Sequence, residues 1–485
     1  MKTIHILTIL LLFIVFNIIT SSRYPCVWLD EICLADPAVN LYLGQGWTSS
    51  LWSAQNHGEF FTGNVPLYPG LLYLWLKIFG FSITSVRSLN YILIAATCLL
   101  LWKWSLLFKK SSINYLHILC LLAILGGYSI IFSYRSGRND CLLTLLGAGI
   151  LYSGTLKESK INSILLFILG ALSAWAGPQL LPVLLFSGCL VIIYLKKPFF
   201  KKVIITWVGV MSGLILLIAF YSFYGVLDKF ILSFKAHTEL TFIHALLSGQ
   251  FIHHNRIPKD FSFWPPFISL CIIVIYRIKK KTLQWKSAIS YGLISSFIIP
   301  SASIVILGKF PTYYGWAIYI PVVLCLASTL MESKSSAFER NVGITGLIAA
   351  IIIGTGLHLT AGLYNYSDRN YNNIDKLFKE SVKDQDYVYG DRVIYYASKK
   401  WGGNFQLSFM NINQKEKAHI NVLIIKPEEF SGITAFLGGT WESTGQKNIL
   451  THKGFPGITR NMGFLNSFDY ELEVFRKQEI LNRKQ

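Results

Sequence analysis

The residues best suited to chemistry in this chain are two adjacent carboxylates, Asp30 and Glu31, in segment 28–31. On a helix, neighbouring side chains point about 100° apart, so the two cannot face one substrate atom equally. We therefore expect one to act as a general base, which takes a proton from an attacking hydroxyl, and the other to be structural. Asp36 and Pro37 follow, and they predict a helix start with Asp36 as the N-cap and Pro37 at the first helical position.

Two further polar elements stand between apolar segments. Arg138 and Asp140 are two residues apart, where they can pair with each other or where the arginine can meet an anionic headgroup. Lys309 and Tyr313 belong to the short segment 308–314. A lysine at the end of apolar helices is costly to desolvate unless it meets an anion, and a phosphate at the lipid–water boundary is a suitable partner.

Histidines are concentrated in one polar connection, residues 225–263. His237 and His254 lie there together with Glu239. Imidazole and carboxylate groups bind metals, but these residues follow no tight metal-ligand spacing, which favours polar surface positions over a metal site.

Cys26 and Cys33 flank the acidic pair. A disulfide between them requires an oxidising compartment, and two free thiols are an equally open interpretation. The other six cysteines fall in apolar segments or at their ends and are typical of small buried side chains.

The composition describes a membrane protein. Of 485 residues, 53% are hydrophobic and only 14% are charged, against about 25% in soluble domains. Apolar runs recur that match the roughly 17–25 residues of a transmembrane helix. The net charge of +19 accompanies no basic–aromatic module, so we exclude a nucleic-acid partner and assign the basic excess to membrane orientation.

The apolar runs predict about eleven transmembrane helices. They cover residues 4–20, 84–107, 115–133, 140–156, 161–177, 179–195, 203–224, 264–278, 287–307, 315–331 and 342–363. Lysine clusters occupy alternate connections, which places those connections in the cytoplasm and the acidic residues outside. The apolar segment 66–80 is too short to span and predicts an interfacial helix.

Two domains follow from this pattern. Residues 1–363 form an all-α polytopic membrane bundle, and residues 364–485 form a small soluble α/β domain on the outer side. In the latter, an apolar stripe predicts a helix near residues 374–382, and residues 388–396 and 420–425 predict strands.

The order and spacing of these motifs resemble the GT-C-fold glycosyltransferases that use lipid-phosphate sugars, a group that includes protein O-mannosyltransferases and lipid A aminoarabinose transferases. The resemblance covers roughly residues 1–330 and the general plan of the tail. Its motifs are Leu29-Asp30-Glu31 with Gly46-Trp47, Pro66-Leu67-Tyr68 with Val86-Arg87, Arg138-Asn139-Asp140, the turn from Gly308 to Tyr313, and His237 with His253-His254.

The resemblance implies a polyprenyl-phosphate sugar as donor and inverting transfer to a lipid, glycan or protein acceptor. Asp30 matches the general base, with Glu31 as its partner, and Lys309 and Tyr313 lie near the donor phosphate. Substrate-binding or supporting roles are implied for a further set, namely Arg87, Arg138, Asp140, Tyr68, His237 and His254.

The chain also departs from the resembled pattern. It reads Asn64-Val65-Pro66 where aminoarabinose-type members carry an acid and a lysine before the proline. No cofactor is therefore assigned, and the need for a divalent cation stays open.

We hypothesise a multi-pass glycosyltransferase of the inner (cell) membrane, acting on the outer face among membrane lipids. One alternative is a transporter or flippase of lipid-linked sugars, which predicts midplane charges and inverted repeats that the sequence lacks. The other is a non-catalytic, glycan-binding relative.

Overall fold

The computed structural model describes residues 3–478. The gaps are at residues 50, 53–54, 56–57, 108–114, 196–197, 238–259, 333–334, 365, 403, 408–411, 413 and 451–469.

Helices dominate the chain up to residue 364. In order they are α1 (Thr3–Thr20), α2 (Leu29–Tyr42), α3 (Leu67–Phe79), α4 (Ile83–Leu106), α5 (Tyr115–Gly126), α6 (Tyr128–Arg135), α7 (Asp140–Thr155), α8 (Lys160–Ala176), α9 (Leu180–Leu195), α10 (Pro198–Phe223), α11 (Leu227–His237), α12 (Trp264–Lys279), α13 (Ala288–Leu307), α14 (Trp316–Leu330) and α15 (Ala337–Tyr364).

Six of the described helices are long and apolar enough to cross a membrane, and the number is seven if the bent pair α5–α6 is counted as one span. These correspond to predicted spans, which confirms a polytopic helical bundle. The remaining predicted spans coincide with α7, α8, α9 and α12, which have only 16 or 17 residues each. Helix α3 has 13 residues, in agreement with the prediction that this segment is too short to span.

The single predicted span at residues 115–133 is instead two helices bent by 61°. Gly127 at the break is extended, with φ −63° and ψ 135°. A Cβ atom there would lie 2.2 Å from the ring of Tyr319, so the close approach of α14 requires glycine. The amide of Tyr128, which the break leaves without a helical acceptor, donates to Ser262 Oγ at 2.8 Å.

Helices α8 and α10 pack through small residues. Gly209 and Gly213 are four residues apart on α10, the spacing of the small-residue motif that lets membrane helices approach closely. A Cβ atom at Gly209 would lie 2.1 Å from the carbonyl oxygen of Phe167, and one at Gly213 would lie 2.3 Å from that of Ala171. Because both clashing atoms belong to the backbone, a side chain at either position must push the helices apart.

We expect Gly209→Leu to lower the stability of the protein by about 1–3 kcal/mol, the usual cost of overpacking. The midpoint of thermal unfolding in detergent measures this loss. Gly356→Ala is the control, because a Cβ atom at Gly356 in α15 meets nothing within 4 Å. Equal midpoints for the two variants would contradict the close packing of α8 on α10.

The described chain divides into two compact units. The helical unit consists of Met1–Asn17, Thr62–Gly70 and Leu89–Leu359, and the mixed unit consists of Ile18–Phe61, Leu71–Ser88 and Thr360–Gln485. The mixed unit therefore combines the segment that carries the acidic pair with the C-terminal part of the chain.

The C-terminal part of the mixed unit contains a five-stranded sheet with the order β2-β1-β3-β5-β4. Strand β1 is parallel to β2 and β3, whereas β5 is antiparallel to β3 and β4. The elements are α16 (Tyr371–Ser381), β1 (Tyr387–Gly390), α17 (Tyr395–Trp401), β2 (Asn404–Leu407), α18 (Gln414–His419), β3 (Val422–Ile425), α19 (Phe430–Leu437), β4 (Trp441–Asn448) and β5 (Leu472–Lys477).

The core of this sheet is formed by buried side chains such as Leu423, Phe475 and Trp441. Helix α16 and strand β3 confirm two of the predicted elements. The strand predicted at 388–396 is wrong in its second half: β1 ends at Gly390, and a 3-10 turn over Arg392–Ile394 leads directly into α17.

Candidate active site

Helix α2 carries the acidic pair in its first turn. The helix begins at Leu29, after an extended Trp28 with φ −133° and ψ 166°, so Asp30 and Glu31 lie at its N-terminal end. Negative charges are favourable there because the helix dipole is positive at that end.

The prediction that Asp36 starts a helix is wrong, because Asp36 and Pro37 lie inside α2. Proline has no amide hydrogen, so the carbonyl of Cys33 loses its helical donor. Trp52 Nε1 donates to that carbonyl at 2.9 Å instead. The indole thus lets α2 continue through the proline.

Glu31 forms a fully buried, two-pronged ion pair with Arg87. Nε and Nη2 of the arginine each lie 2.7 Å from a carboxylate oxygen of Glu31, and both side chains are 0% exposed. Arg87 Nη1 also donates to the carbonyls of Ser21 and Pro25. The hydroxyl of Tyr396 donates to Glu31 Oε1 at 3.0 Å. Glu31 is therefore held on all sides by protein groups.

Asp36 is the second buried carboxylate of α2. Its Oδ1 accepts from the Tyr395 hydroxyl at 2.8 Å and lies 3.2 Å from Lys399 Nζ. Its Oδ2 accepts from Ser49 Oγ at 2.7 Å. Lys399 also donates to Asn40, one helical turn further along α2. One cation and two hydroxyls thus satisfy this carboxylate.

Asp30 differs from the other two carboxylates of α2. It is half-buried, whereas Glu31 and Asp36 are completely buried. Asp30 is therefore the most accessible of the three carboxylates of this helix.

Burial raises the pKa of Tyr396 well above its usual value, and the charge of Glu31 raises it further. The pKa of Tyr395 is raised in the same way by burial and by Asp36. Both hydroxyls therefore stay protonated at neutral pH and act as donors to the carboxylates of α2.

Cys26 and Cys33 are buried thiols that are not joined in a disulfide, and Cys33 Sγ donates to the carbonyl of Leu51 at 3.1 Å. The described residues contain no group of three or more His, Cys, Asp or Glu side chains that could hold a metal ion. His237 is the last residue of α11, while its side chain and the whole of His254 lie outside the described residues.

In the helical unit, Arg138, Asp140 and Tyr313 come together. Arg138 Nε lies 2.6 Å from Asp140 Oδ2, and the guanidinium carbon stands 4.1 Å from the centre of the Tyr313 ring. Trp316 Nε1 donates to Asp140 Oδ1 at 3.0 Å. Arg138 and Asp140 are buried, while Tyr313 is half-buried.

The turn that carries Arg138 is held by its backbone. Gly137 adopts φ 60°, a conformation that favours glycine. The Tyr68 hydroxyl donates to the Gly137 carbonyl at 2.7 Å, and Asn90 Nδ2 donates to the Arg138 carbonyl at 2.7 Å. Tyr68 is 1% exposed, so its hydroxyl is used to position this turn.

Lys309 and Tyr313 lie in the connection between α13 and α14. Gly308 ends α13 in the left-handed conformation at φ 72°, and Thr312–Tyr314 form a 3-10 turn. Both Lys309 and Tyr313 are half-buried. They are thus more accessible than the Arg138–Asp140 pair.

A partly open apolar cavity is lined by side chains of the helical unit. Its volume is about 680 Å³, and side chains such as Leu151, Leu184 and Ile320 line it. Trp316, which donates to Asp140, belongs to its wall, as does Lys202. A cavity of this size and polarity suits a hydrocarbon chain.

The structure therefore brings the predicted residues together in two groups, Glu31 with Arg87 in the mixed unit and Arg138 with Asp140, Tyr313 and Tyr68 in the helical unit. Sequence reasoning missed the polar partners of α2. The spacing of Tyr395 and Lys399, four residues apart, was the available signal, because such residues share one helix face.

Comparison with solved structures identifies the fold. The crystal structure of ArnT from Cupriavidus metallidurans bound to undecaprenyl phosphate matches with a TM-score of 0.60 and 11% identity, over 99% of each chain. The apo state of the same protein matches with a TM-score of 0.51 and 10% identity, over 96% of this chain and 97% of that one. No family model and no curated protein sequence matches the chain. The likeness confirms the predicted GT-C fold.

Proposed function

We propose that this protein is a membrane glycosyltransferase that takes a sugar from a polyprenyl-phosphate donor on the outer face of the inner membrane. The observation that carries this proposal is the apolar cavity, whose wall includes Trp316, the partner of Asp140. ArnT, which shares this fold, was crystallised with undecaprenyl phosphate. The alternation of lysine-rich connections supports the orientation.

The reaction is a single displacement at the anomeric carbon of the sugar. The acceptor oxygen forms a bond to that carbon, the bond between the carbon and the phosphate oxygen breaks, and the polyprenyl phosphate leaves with the electron pair. Asp30 takes the proton of the acceptor hydroxyl, since it is the accessible carboxylate of α2. Inversion at the carbon follows from the single displacement.

Lys309 and Tyr313 hold the donor phosphate in this proposal. Both are half-buried, and an ammonium group and a phenol are suitable donors to a phosphate. Arg138 stacks on the Tyr313 ring at 4.1 Å and so fixes its orientation. Arg87 supports Glu31, because its guanidinium is fully buried against that carboxylate.

Photo-crosslinking tests the donor class and the role of the cavity. The probe is undecaprenyl phosphate with a diazirine near the far end of its chain, in vesicles that contain the full-length protein. We expect labelling of cavity residues such as Leu151, Leu184 and Ile320, with competition by unmodified undecaprenyl phosphate. Labelling confined to exposed faces, such as Ile215 or Ile352, would contradict the proposal.

Replacing Lys309 with methionine tests the phosphate contact. A hydrogen bond to a charged group contributes about 1.5–3 kcal/mol, so we expect undecaprenyl phosphate to bind roughly 10- to 100-fold more weakly. Microscale thermophoresis in detergent measures this affinity. Lys280→Met is the control, because Lys280 is an exposed residue that caps the end of α12. Unchanged affinity of the Lys309 variant for undecaprenyl phosphate would show that Lys309 does not bind the donor phosphate.

A further inference from the structure

The C-terminal α/β part of the chain makes polar contacts with α2, although the two are far apart in the sequence. Three side chains of α17 reach the carboxylates of α2: Tyr396 bonds to Glu31, and Tyr395 and Lys399 bond to Asp36. All these residues belong to the mixed unit.

The positions of the two anchored carboxylates constrain α2 in a specific way. Glu31 and Asp36 are separated by about 7.5 Å along the helix axis and by about 140° around it. Two anchors at different heights and on different sides prevent the helix from sliding and from rotating about its axis.

Asp30 occupies the remaining side of the helix. Its side chain is rotated by about 100° from Glu31 and by about 120° from Asp36. It therefore points away from both anchors, in agreement with its partial exposure. The direction in which Asp30 points depends on the contacts that Glu31 and Asp36 make.

The charges agree with this arrangement. Arg87 faces Glu31 from the start of α4, and Lys399 faces Asp36 from α17. Each buried carboxylate of α2 therefore has its own cation. A carboxylate without that cation would be unpaired in a buried site, which is costly enough to displace the helix.

We propose that Tyr395, Tyr396 and Lys399 are positioning residues for Asp30, through which the C-terminal part of the mixed unit holds the general base in its productive orientation. The inference rests on the proposed function, because it assigns the base role to Asp30. It makes α17 a part of the catalytic apparatus.

The test compares Tyr396→Phe and Lys399→Met in the full-length protein. Release of undecaprenyl phosphate is measured with a panel of undecaprenyl-phosphate hexoses and pentoses, in vesicles of envelope lipid that contain the native acceptors. We expect kcat per folded molecule to fall about 10- to 100-fold, because misplacement of a reacting group by about 1 Å has an effect of that size. The KM for the donor is expected to stay unchanged, since Asp30 does not bind the donor phosphate.

A second readout is independent of turnover. Cys33 lies on α2 and is 7% exposed, so its rate of maleimide labelling reports on loosening of the helix. We expect faster labelling of Cys33 in Tyr396→Phe and Lys399→Met. The matched controls are Tyr387→Phe and Lys376→Met, whose side chains are exposed in the same domain.

A rescue variant separates positioning from general loss of stability. Asp36→Asn combined with Lys399→Met removes the unpaired charge while Tyr395 and Ser49 keep an acceptor, so kcat and Cys33 protection should recover relative to Lys399→Met alone. Wild-type kcat and labelling in Tyr396→Phe and Lys399→Met would overturn the inference. Faster labelling of Cys33 in Tyr396→Phe and Lys399→Met, together with wild-type turnover in Asp30→Asn, would reject Asp30 as the base. The role of α17 in holding α2 would then stand on the labelling result.

Discussion

Replacing Arg87 with methionine is expected to destabilise the mixed unit by about 3–5 kcal/mol. The substitution leaves Glu31 completely buried, with the Tyr396 hydroxyl but without its cation. Breaking a buried ion pair by removing one partner costs about 3–5 kcal/mol, against a total stability of about 5–15 kcal/mol for a domain. The midpoint of thermal unfolding and the yield of monodisperse protein in detergent measure the loss.

Two variants make this result specific. Lys376→Met removes a cation of the same unit whose partner is Glu380, and both side chains are exposed, at 75% and 55%, so we expect a loss of about 1 kcal/mol or less. Glu31→Gln combined with Arg87→Met removes both charges and should recover part of the stability. Equal midpoints for Arg87→Met and the wild-type protein would show that the buried pair does not stabilise the fold.

The helical unit illustrates what the sequence could and could not predict. The membrane helices follow from composition, because hydrocarbon imposes a minimum length and polarity on any spanning segment. Hence nearly all predicted spans coincide with helices. The bend at Gly127 was not predicted, since it depends on the approach of Tyr319 from a helix almost two hundred residues away in the sequence.

The prediction of a strand at 388–396 is wrong in its second half for a related reason. Val393, Ile394, Tyr395 and Tyr396 are β-branched or aromatic and favour strands locally. In the structure, Tyr395 and Tyr396 are helical and fully buried, and their hydroxyls meet Asp36 and Glu31. Tertiary hydrogen bonds to buried carboxylates override the local preference, and one sequence without its fold does not reveal such partners.

The acidic residues of α2 show the same limit of a single sequence. Adjacency alone predicts that only one of Asp30 and Glu31 faces a substrate, and this stays a prediction. In the structure, Glu31 is enclosed by Arg87 and Tyr396. Asp36 was misassigned as a cap, because proline is common at helix starts. The indole of Trp52 compensates for Pro37 inside α2, a contact that spans nineteen positions of the chain.

Replacing Asp30 with asparagine is expected to abolish most of the turnover without affecting the fold. Asparagine has the same shape but cannot accept the proton of the acceptor hydroxyl, and loss of a general base lowers rates by about 10²- to 10⁴-fold. Asp30 is half-buried and is not one of the buried carboxylates that anchor α2, so the unfolding midpoint should stay close to that of the wild-type protein. Release of undecaprenyl phosphate in envelope vesicles and mass analysis of envelope lipids, glycans and glycoproteins measure the activity.

Glu59→Gln is the matched control, since Glu59 is a half-buried acid in the same segment before α3 and has no assigned role in the reaction. It should retain wild-type turnover, and both variants should retain affinity for undecaprenyl phosphate, because the donor phosphate is assigned to Lys309 and Tyr313. Turnover of Asp30→Asn at the wild-type rate would place the base elsewhere. Loss of undecaprenyl phosphate binding in Asp30→Asn would assign Asp30 to the donor rather than to the acceptor, since a base that acts only on the acceptor hydroxyl changes kcat and leaves donor affinity unchanged.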